Sequence, residues 1–340
     1  HVRTLAEAGD PIATLEVEQV DAVRSGCRVT DRQRDIPIHA RAVVYALNLG
    51  DMQRKVVLDI DAPDSPTLLG RLENRLNQPD VDSYLLLVPP GTHADFRVEA
   101  IDGELQIQDN SGTLLVAPYT LDDLDGVARD LAHLARYKNA LAITHTADSE
   151  LEGAISLVVK KLDFDPDTQD PVAETIEPMA GGEIIAEAGQ RIVIEATNES
   201  SIPLNVALFD FSYDWSVTQL YPRMRGAHEQ LDPGSTISLG LSRKSRDQLS
   251  PKLPAKVNEV SQIIKAIATV ADTDFSVLEQ AALKMPFTKS APSRRKDTAL
   301  SKLLDLAMSG GKKRALFYDA PETEDEWTTG ELEFRIVQPS

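Results

Sequence analysis

Between residues 203 and 240 the chain reads PLNVALFDFSYDWSVTQLYPRMRGAHEQLDPGSTISLG, and this stretch leaves room for little besides antiparallel β-structure. Three runs of alternating or nearly alternating apolar residues, 204–209, 215–221 and 236–239, are separated by turn chemistry. That is the pattern of half-buried antiparallel strands. Ile192-Val193-Ile194-Glu195-Ala196, followed by Asn198-Glu199-Ser200-Ser201, adds a strand that ends in a polar turn. Asp232-Pro233-Gly234 supplies a fixed φ and then a permissive glycine,. The runs 154–159 and 331–337 follow the same rule, so about eight strands are expected across residues 151–340, enough for an antiparallel β-sandwich domain.

The N-terminal part reads differently. Strands are expected at 15–20, 41–47, 55–61, 83–88, 95–101, 105–108 and 114–116, with one strong helix over 67–78. In that helix Leu68, Leu69, Leu72 and Leu76 recur at helical spacing after the start signal Ser65-Pro66, so it belongs on one face of the sheet,. A second helix is expected over 121–142, where Leu124, Val127, Leu131, Leu134 and Leu141 trace a stripe and Thr120-x-x-Asp123 resembles a capping box,. The expected fold is therefore mainly β with α+β. An N-terminal α+β domain (13–145), ending in a connecting helix, precedes an antiparallel β-sandwich domain (151–340) with a basic helical insertion near 284–314.

Charge narrows the function classes. With 35 Lys and Arg against 54 Asp and Glu the net charge is −19, which repels nucleic acid unless basic groups are concentrated locally,. No run approaches the ~18 apolar residues that span a bilayer, and the N-terminus lacks the apolar segment of a signal peptide, so the reading is no membrane and a cytoplasmic location. A single cysteine, Cys27, excludes an intramolecular disulfide framework,. Against the acidic background residues 284–314 reverse sign, and Leu300, Leu303, Leu304, Leu306 and Ala307 suggest a short helix ending at Gly310-Gly311,. Arg294, Arg295 and Lys296, together with Lys312, Lys313 and Arg314, are the candidate interaction or cleavage residues, set in exposed loop at 288–296 and 309–314.

Several segments carry a resemblance. Asn198-x-Ser-x-x-Pro-Leu-x-Val, Leu220-Tyr221-Pro222 and Leu231-x-Pro233-Gly234 resemble the β-rich C-terminal region that follows caspase-like peptidase domains, the peptidase clan of caspases and metacaspases. So do residues 94–98 through 112–115, 134–141, 274–280 and Trp327-Thr328-Thr329-Gly330. The resemblance implies a non-catalytic region, or a released fragment, that acts by protein–protein contact. It also assigns residues 262–270, which have helix propensity, to a strand. The partner it implies is a protein, with a caspase-like peptidase domain in the same or another chain as the candidate.

Chemical motifs are sparse. Cys27 lies in Arg24-Ser25-Gly26-Cys27-Arg28, with only His1 before it, so a cysteine–histidine nucleophile in caspase order is not expected,. The sequence has no Gly-x-Ser-x-Gly elbow, P-loop, dinucleotide fingerprint or His-Glu-x-x-His pair,. His133 and His228 read as a helix residue and a loop residue, not as ligands. Asn198-Glu199-Ser200 is formally a glycosylation sequon, read as a chance triplet. Residues 163–174 place carboxylates at positions 1, 3, 5 and 12 of a calcium loop, but Thr168 stands where glycine is needed and Pro166 interrupts the loop,. A solvated acidic loop linking strands is the expectation, with no metal and no cofactor. Phe209, Phe211, Tyr213 and Trp215 share a parity that would place them on one strand face, as core, provided the strand runs unbroken through Asp214,. The reading is a protein-interaction or regulatory region without enzyme activity; the alternative is a β-sandwich ligand- or carbohydrate-binding module, which needs those aromatics exposed. A hydrolase would need a concave cluster of titratable groups that a linear sequence does not reveal.

Overall fold

The computed structural model describes residues 53–60, 65–78, 81, 84–144, 150–179, 181–224, 227–241, 248–254, 257–283, 304, 308 and 326–339, together with strand backbone at 2–3, 13–20, 25–32 and 41–42. The chain is mainly β: among the described residues the strands form four sheets, with two α-helices. It divides into two compact units, His1–Asn139 with Asp305–Glu324, and Ala140–Leu304 with Asp325–Ser340. No helix among the described residues is long and apolar enough to cross a membrane.

The first unit holds two sheets. One has the order β3-β2-β1-β4, from β1 (Val2–Arg3), β2 (Ala13–Val20), β3 (Ser25–Arg32) and β4 (Arg41–Ala42). The strand expected at 41–47 is described only as far as Ala42. β3 has no counterpart in the sequence reading, since SGCRVTDR is too polar to announce a strand. The other sheet has the order β6-β5-β7-β8-β9, from β5 (Arg54–Asp59), β6 (Leu85–Val88), β7 (Phe96–Ile101), β8 (Glu104–Gln108) and β9 (Tyr119–Thr120). β5 pairs in parallel with β6 and β7, and its Val56-Val57-Leu58 run is buried throughout, as a central parallel strand requires,.

Helix α1 (Ser65–Leu76) connects β5 to β6 and buries Leu68, Leu72 and Leu76, the spacing of one face,. Each such leucine contributes roughly 1.5–3 kcal/mol over an exposed one. Residues 114–116 form no strand; Leu114 makes a single bridge to Gln108. The cause is local, because the Asp109 carboxylate accepts the backbone N–H groups of Ser111 and Thr113 and holds the chain in a turn,.

Helix α2 (Leu124–Leu141) buries Leu124, Val127, Ala128, Leu131, Leu134 and Ala135. Its cap is Asp123, not Thr120: Asp123 Oδ1 accepts the Gly126 N–H at 2.9 Å,. A residue at 126 larger than glycine would meet that carboxylate, with a Cβ 2.5 Å from Asp123 Oδ2. Near the other end Arg54 Nε donates to Asn139 Oδ1 at 2.8 Å, which ties the helix to the start of β5.

The second unit also holds two sheets. β10 (Ile155–Phe164), β11 (Pro171–Thr175), β13 (Ile192–Asn198) and β17 (Thr236–Leu239) form an antiparallel sheet in the order β11-β10-β13-β17. β12 (Ile185–Glu187), β14 (Leu204–Phe211), β15 (Val217–Tyr221), β18 (Glu259–Thr269) and β19 (Trp327–Val337) form the other in the order β12-β19-β18-β14-β15, with β16 (Glu229–Leu231) also paired to β14. Two apolar clusters draw on both sheets. One joins Ile155 and Ala196 to Leu204, Val206, Leu208, Ala266 and Ala268; the other joins Val159, Ile192 and Ile194 to Ile264, Leu332, Phe334 and Ile336. Residues 262–269 are strand, within β18, where Ile264, Ala266, Ile267 and Ala268 are all buried; the strand assigned to 262–270 stops one residue short, at Thr269.

β18 also carries a lysine that no solvent reaches. Lys265 is 0% exposed, opposite Glu331 on β19, and its Nζ donates to Glu331 Oε1 and to the Leu141 carbonyl, both at 2.5 Å. Burial pulls its pKa below the ordinary lysine value, and Glu331 opposes the shift,. The folded state therefore releases this proton before the unfolded chain does. The cost of burying the charge is full below the lowered folded pKa and fades as pH rises toward the unfolded value of 10.5,. Wild type is expected to gain stability relative to Lys265→Met across that alkaline window, in denaturant melts at stepped pH; parallel curves would contradict the assignment.

Candidate functional site

The helical period of α2 that buries leucines on one side sets Asp125, Arg129, Ala132 and Arg136 in a row, at intervals of four, three and four,. This row forms one wall of a cleft of about 360 Å³, completed by Arg75 from the last turn of α1 and by Val81 and Tyr84 from the segment leading into β6. Val81 and Ala132 are buried and supply an apolar floor.

Each arginine has a distinct setting. Arg75 Nε donates to Asp125 Oδ1 at 2.5 Å, and that carboxylate is largely exposed. Arg129 Nε donates to Asp130 Oδ1 at 2.7 Å, while the second oxygen of the buried Asp130 accepts the Tyr119 hydroxyl at 2.6 Å. Burial, followed by the Asp130 hydrogen bond, pushes the Tyr119 phenol well above its ordinary range, so it stays a donor. The Asp130 hydrogen bond in turn raises the Arg129 pKa.

Arg136 lies over the Tyr84 ring, 5.6 Å from its centroid, and its buried Nε has no hydrogen-bond partner among the described residues,. Tyr84 donates its hydroxyl to the Met308 carbonyl at 3.0 Å; burial raises its pKa and Arg136 opposes the shift. Guanidiniums stay charged across the physiological range and present planar forks to carboxylates and phosphates. The lining of Arg75, Val81, Tyr84, Asp125, Arg129, Ala132 and Arg136 contains no histidine, cysteine or hydroxyl nucleophile other than the phenol. Chemically, such an arrangement can hold an anion.

The row at 125, 129 and 136 was visible on a helical wheel, but the sequence reading followed only the apolar stripe. The basic residues it did single out, Arg294, Arg295, Lys296, Lys312, Lys313 and Arg314, lie outside the described residues. Cys27 is described in backbone only, in β3 opposite Val17. His133 is fully buried, and His228 bonds Asp272 at 2.6 Å and the Thr273 carbonyl at 3.2 Å.

Residues 163–174 form the β10–β11 hairpin, with Phe164 opposite Pro171. Asp165 Oδ1 accepts the N–H groups of Thr168 and Asp167, each at 2.8 Å, which lowers its pKa and uses the carboxylate to build the turn,. Asn198, the sequon residue, is 0% exposed.

The aromatic run needs a correction. Phe209 and Phe211 are buried, and Phe209 meets Phe275 edge-to-face at 6.1 Å, but β14 stops at Phe211. Residues 212–216 form a turn in which Asp214 Oδ1 accepts the Ser216 N–H and hydroxyl, and Trp215 takes φ 64°. Tyr213 is consequently 46% exposed, and β15 begins only at Val217.

A second cleft, of about 230 Å³, lies in the second unit and is lined in part by Glu150, Glu152, Glu199 and Glu326. Among the described residues no three His, Cys, Asp or Glu side chains are grouped to hold a metal ion. No protein-family model, curated protein or solved structure matches the chain.

Proposed function

We propose that the chain is a non-catalytic protein-interaction module that docks an acidic segment of a partner protein in the arginine-lined cleft of its first unit. One observation carries this: three guanidiniums converge on one cleft in a chain of net charge −19. Asp125 and Asp130 offset Arg75 and Arg129 but leave Arg136 without a carboxylate among the described residues, and its buried unpaired Nε adds a cost of about 1–3 kcal/mol that an incoming acceptor would relieve,. In this reading the two sheets of the second unit close as a β-sandwich over their shared clusters, and the protein works in the cytoplasm. The caspase-like context, with a peptidase domain in the same or another chain as partner, rests on the sequence motifs, as does a role for the basic residues 294–296 and 312–314.

The carbohydrate-binding alternative is less well supported, because Phe209 and Phe211 are buried and only Tyr213 of the four aromatics is largely exposed.

The test is a fluorescence-labelled hexaglutamate peptide titrated into the full chain. Binding is expected to weaken steeply as salt rises and to fall by about tenfold or more in the Arg129→Glu, Arg136→Glu double variant, a loss of roughly 1.4 kcal/mol or more. Salt-insensitive binding, or equal binding by the variant, would defeat the proposal.

A further inference from the structure

The charge balance inside the cleft identifies the anion it takes. Asp125 faces Arg75 at 2.5 Å and the buried Asp130 faces Arg129 at 2.7 Å. Arg136 has no carboxylate partner among the described residues; its neighbour is the Tyr84 ring. Three positive charges therefore stand against two negative ones, and a single negative charge completes the set. A carboxylate supplies that charge. A phosphate monoester carries about −1.5 to −2 near neutral pH and would set its surplus against Asp125 and Asp130.

The shape argues in the same direction. The floor is the apolar Val81 and Ala132, which the methylenes of an acidic side chain would cover. A terminal carboxylate would draw peptide N–H groups into a lining whose side-chain acceptors are the Asp125 carboxylate, paired with Arg75, and the Tyr84 hydroxyl, bonded to the Met308 carbonyl. Resting on the interaction reading above, we propose that the cleft receives one glutamate or aspartate side chain of the partner, with Arg136 as its anchor and Tyr84 holding the guanidinium plane.

The arginine Nε–H resonances of the full chain report this directly. The probes are N-acetyl-glutamate α-amide, its glutamine counterpart, N-acetylglycine for a terminal carboxylate, and inorganic phosphate. The glutamate compound is expected to shift the Arg136 Nε–H saturably and the glutamine compound to leave it in place, with phosphate and N-acetylglycine at least about tenfold weaker. Arg136→Lys keeps the charge but loses the planar fork, so it should bind the glutamate compound about tenfold more weakly while melting no lower than wild type, since it also removes the buried unpaired Nε,. Phosphate or N-acetylglycine binding as tightly as the glutamate compound, a shift with the glutamine compound, or unchanged affinity in Arg136→Lys would each overturn the inference. Hexaglutamate binding that is salt-sensitive but leaves the Arg136 resonance unmoved would overturn it too, and would leave the interaction reading standing; absence of hexaglutamate binding would remove both.

Discussion

Replacing Asn198 by alanine is expected to destabilise the second unit by about 3 kcal/mol, from leaving several buried polar groups unpaired at once. The side chain is 0% exposed and spends its whole hydrogen-bonding capacity. Nδ2 donates to the carbonyls of Ile202 and Leu231, both at 2.8 Å, and Oδ1 accepts the Ser200 N–H at 2.9 Å and the Ser200 hydroxyl at 2.6 Å. The backbone of Asn198 adds bonds to Ser235 and Gly234 at 3.1 and 2.8 Å. One residue thus joins the turn after β13 to the Leu231–Ser235 loop before β17.

For a unit of this size a 3 kcal/mol loss corresponds to a fall in Tm of roughly 6–12 °C. Ser200→Ala, which gives up only the hydroxyl, should cost about 1 kcal/mol. Asn198→Asp keeps the acceptor, loses both donors and buries a carboxylate, so it should be the worst of the three at neutral pH and recover part of the loss in acid, where the carboxyl protonates. An Asn198→Ala Tm within about 2 °C of wild type would show that the network is not cooperative.

This network also explains what in the sequence was legible. Asn198-x-Ser-x-x-Pro-Leu and Leu231-x-Pro-Gly were conspicuous as a pair of segments, and the structure bonds them to each other through one amide. β13, β14 and β19 were readable because they alternate or are buried on both faces: in β19 Leu332, Phe334 and Ile336 are buried between Glu331, Glu333 and Arg335. β18 was not, because its unbroken run Ile263-Ile264-Lys265-Ala266-Ile267-Ala268 also suits a helix, and only the resemblance assigned it to a strand. The leucine stripes of α1 and α2 were readable for the same reason.

What escaped was decided by local polar chemistry or by distance along the chain. The alternation of Phe209, Phe211, Tyr213 and Trp215 predicts a continuous strand, but Asp214 and Ser216 satisfy the backbone locally and turn it. β3 and β9 lie where polar residues mask any pattern. Cap and cleft share this logic. The choice between Thr120 and Asp123 rests on one hydrogen bond, and the cleft brings Arg75 against Asp125, fifty residues away. No periodicity contains that meeting.

Gly240→Ala should be as damaging as the loss of Asn198, at about 3 kcal/mol, for a reason that is steric throughout. The residue follows the last residue of β17 and takes φ +90°, a conformation that costs an L-residue roughly 1–2 kcal/mol,. An added Cβ would also stand 2.5 Å from the Ile192 carbonyl oxygen and 3.2 Å from Leu249 Cγ. Those are not adjustable atoms, because Ile192 donates its N–H to the Leu249 carbonyl at 3.0 Å while its side chain sits in the core shared by the two sheets. Relieving the contact means moving β13 or the 248–254 segment, an overpacking cost of about 1–3 kcal/mol. Gly234 separates the two contributions: it has φ +71° but, among the described residues, nothing within 4 Å of the same Cβ position. Gly234→Ala is therefore expected to lose only the conformational part, about 1 kcal/mol or some 2–4 °C in Tm, against roughly 6–12 °C for Gly240→Ala. Equal shifts for the two variants in parallel thermal melts would mean that backbone conformation alone sets the cost, and that the approach of Gly240 to Ile192 contributes nothing to selecting glycine there.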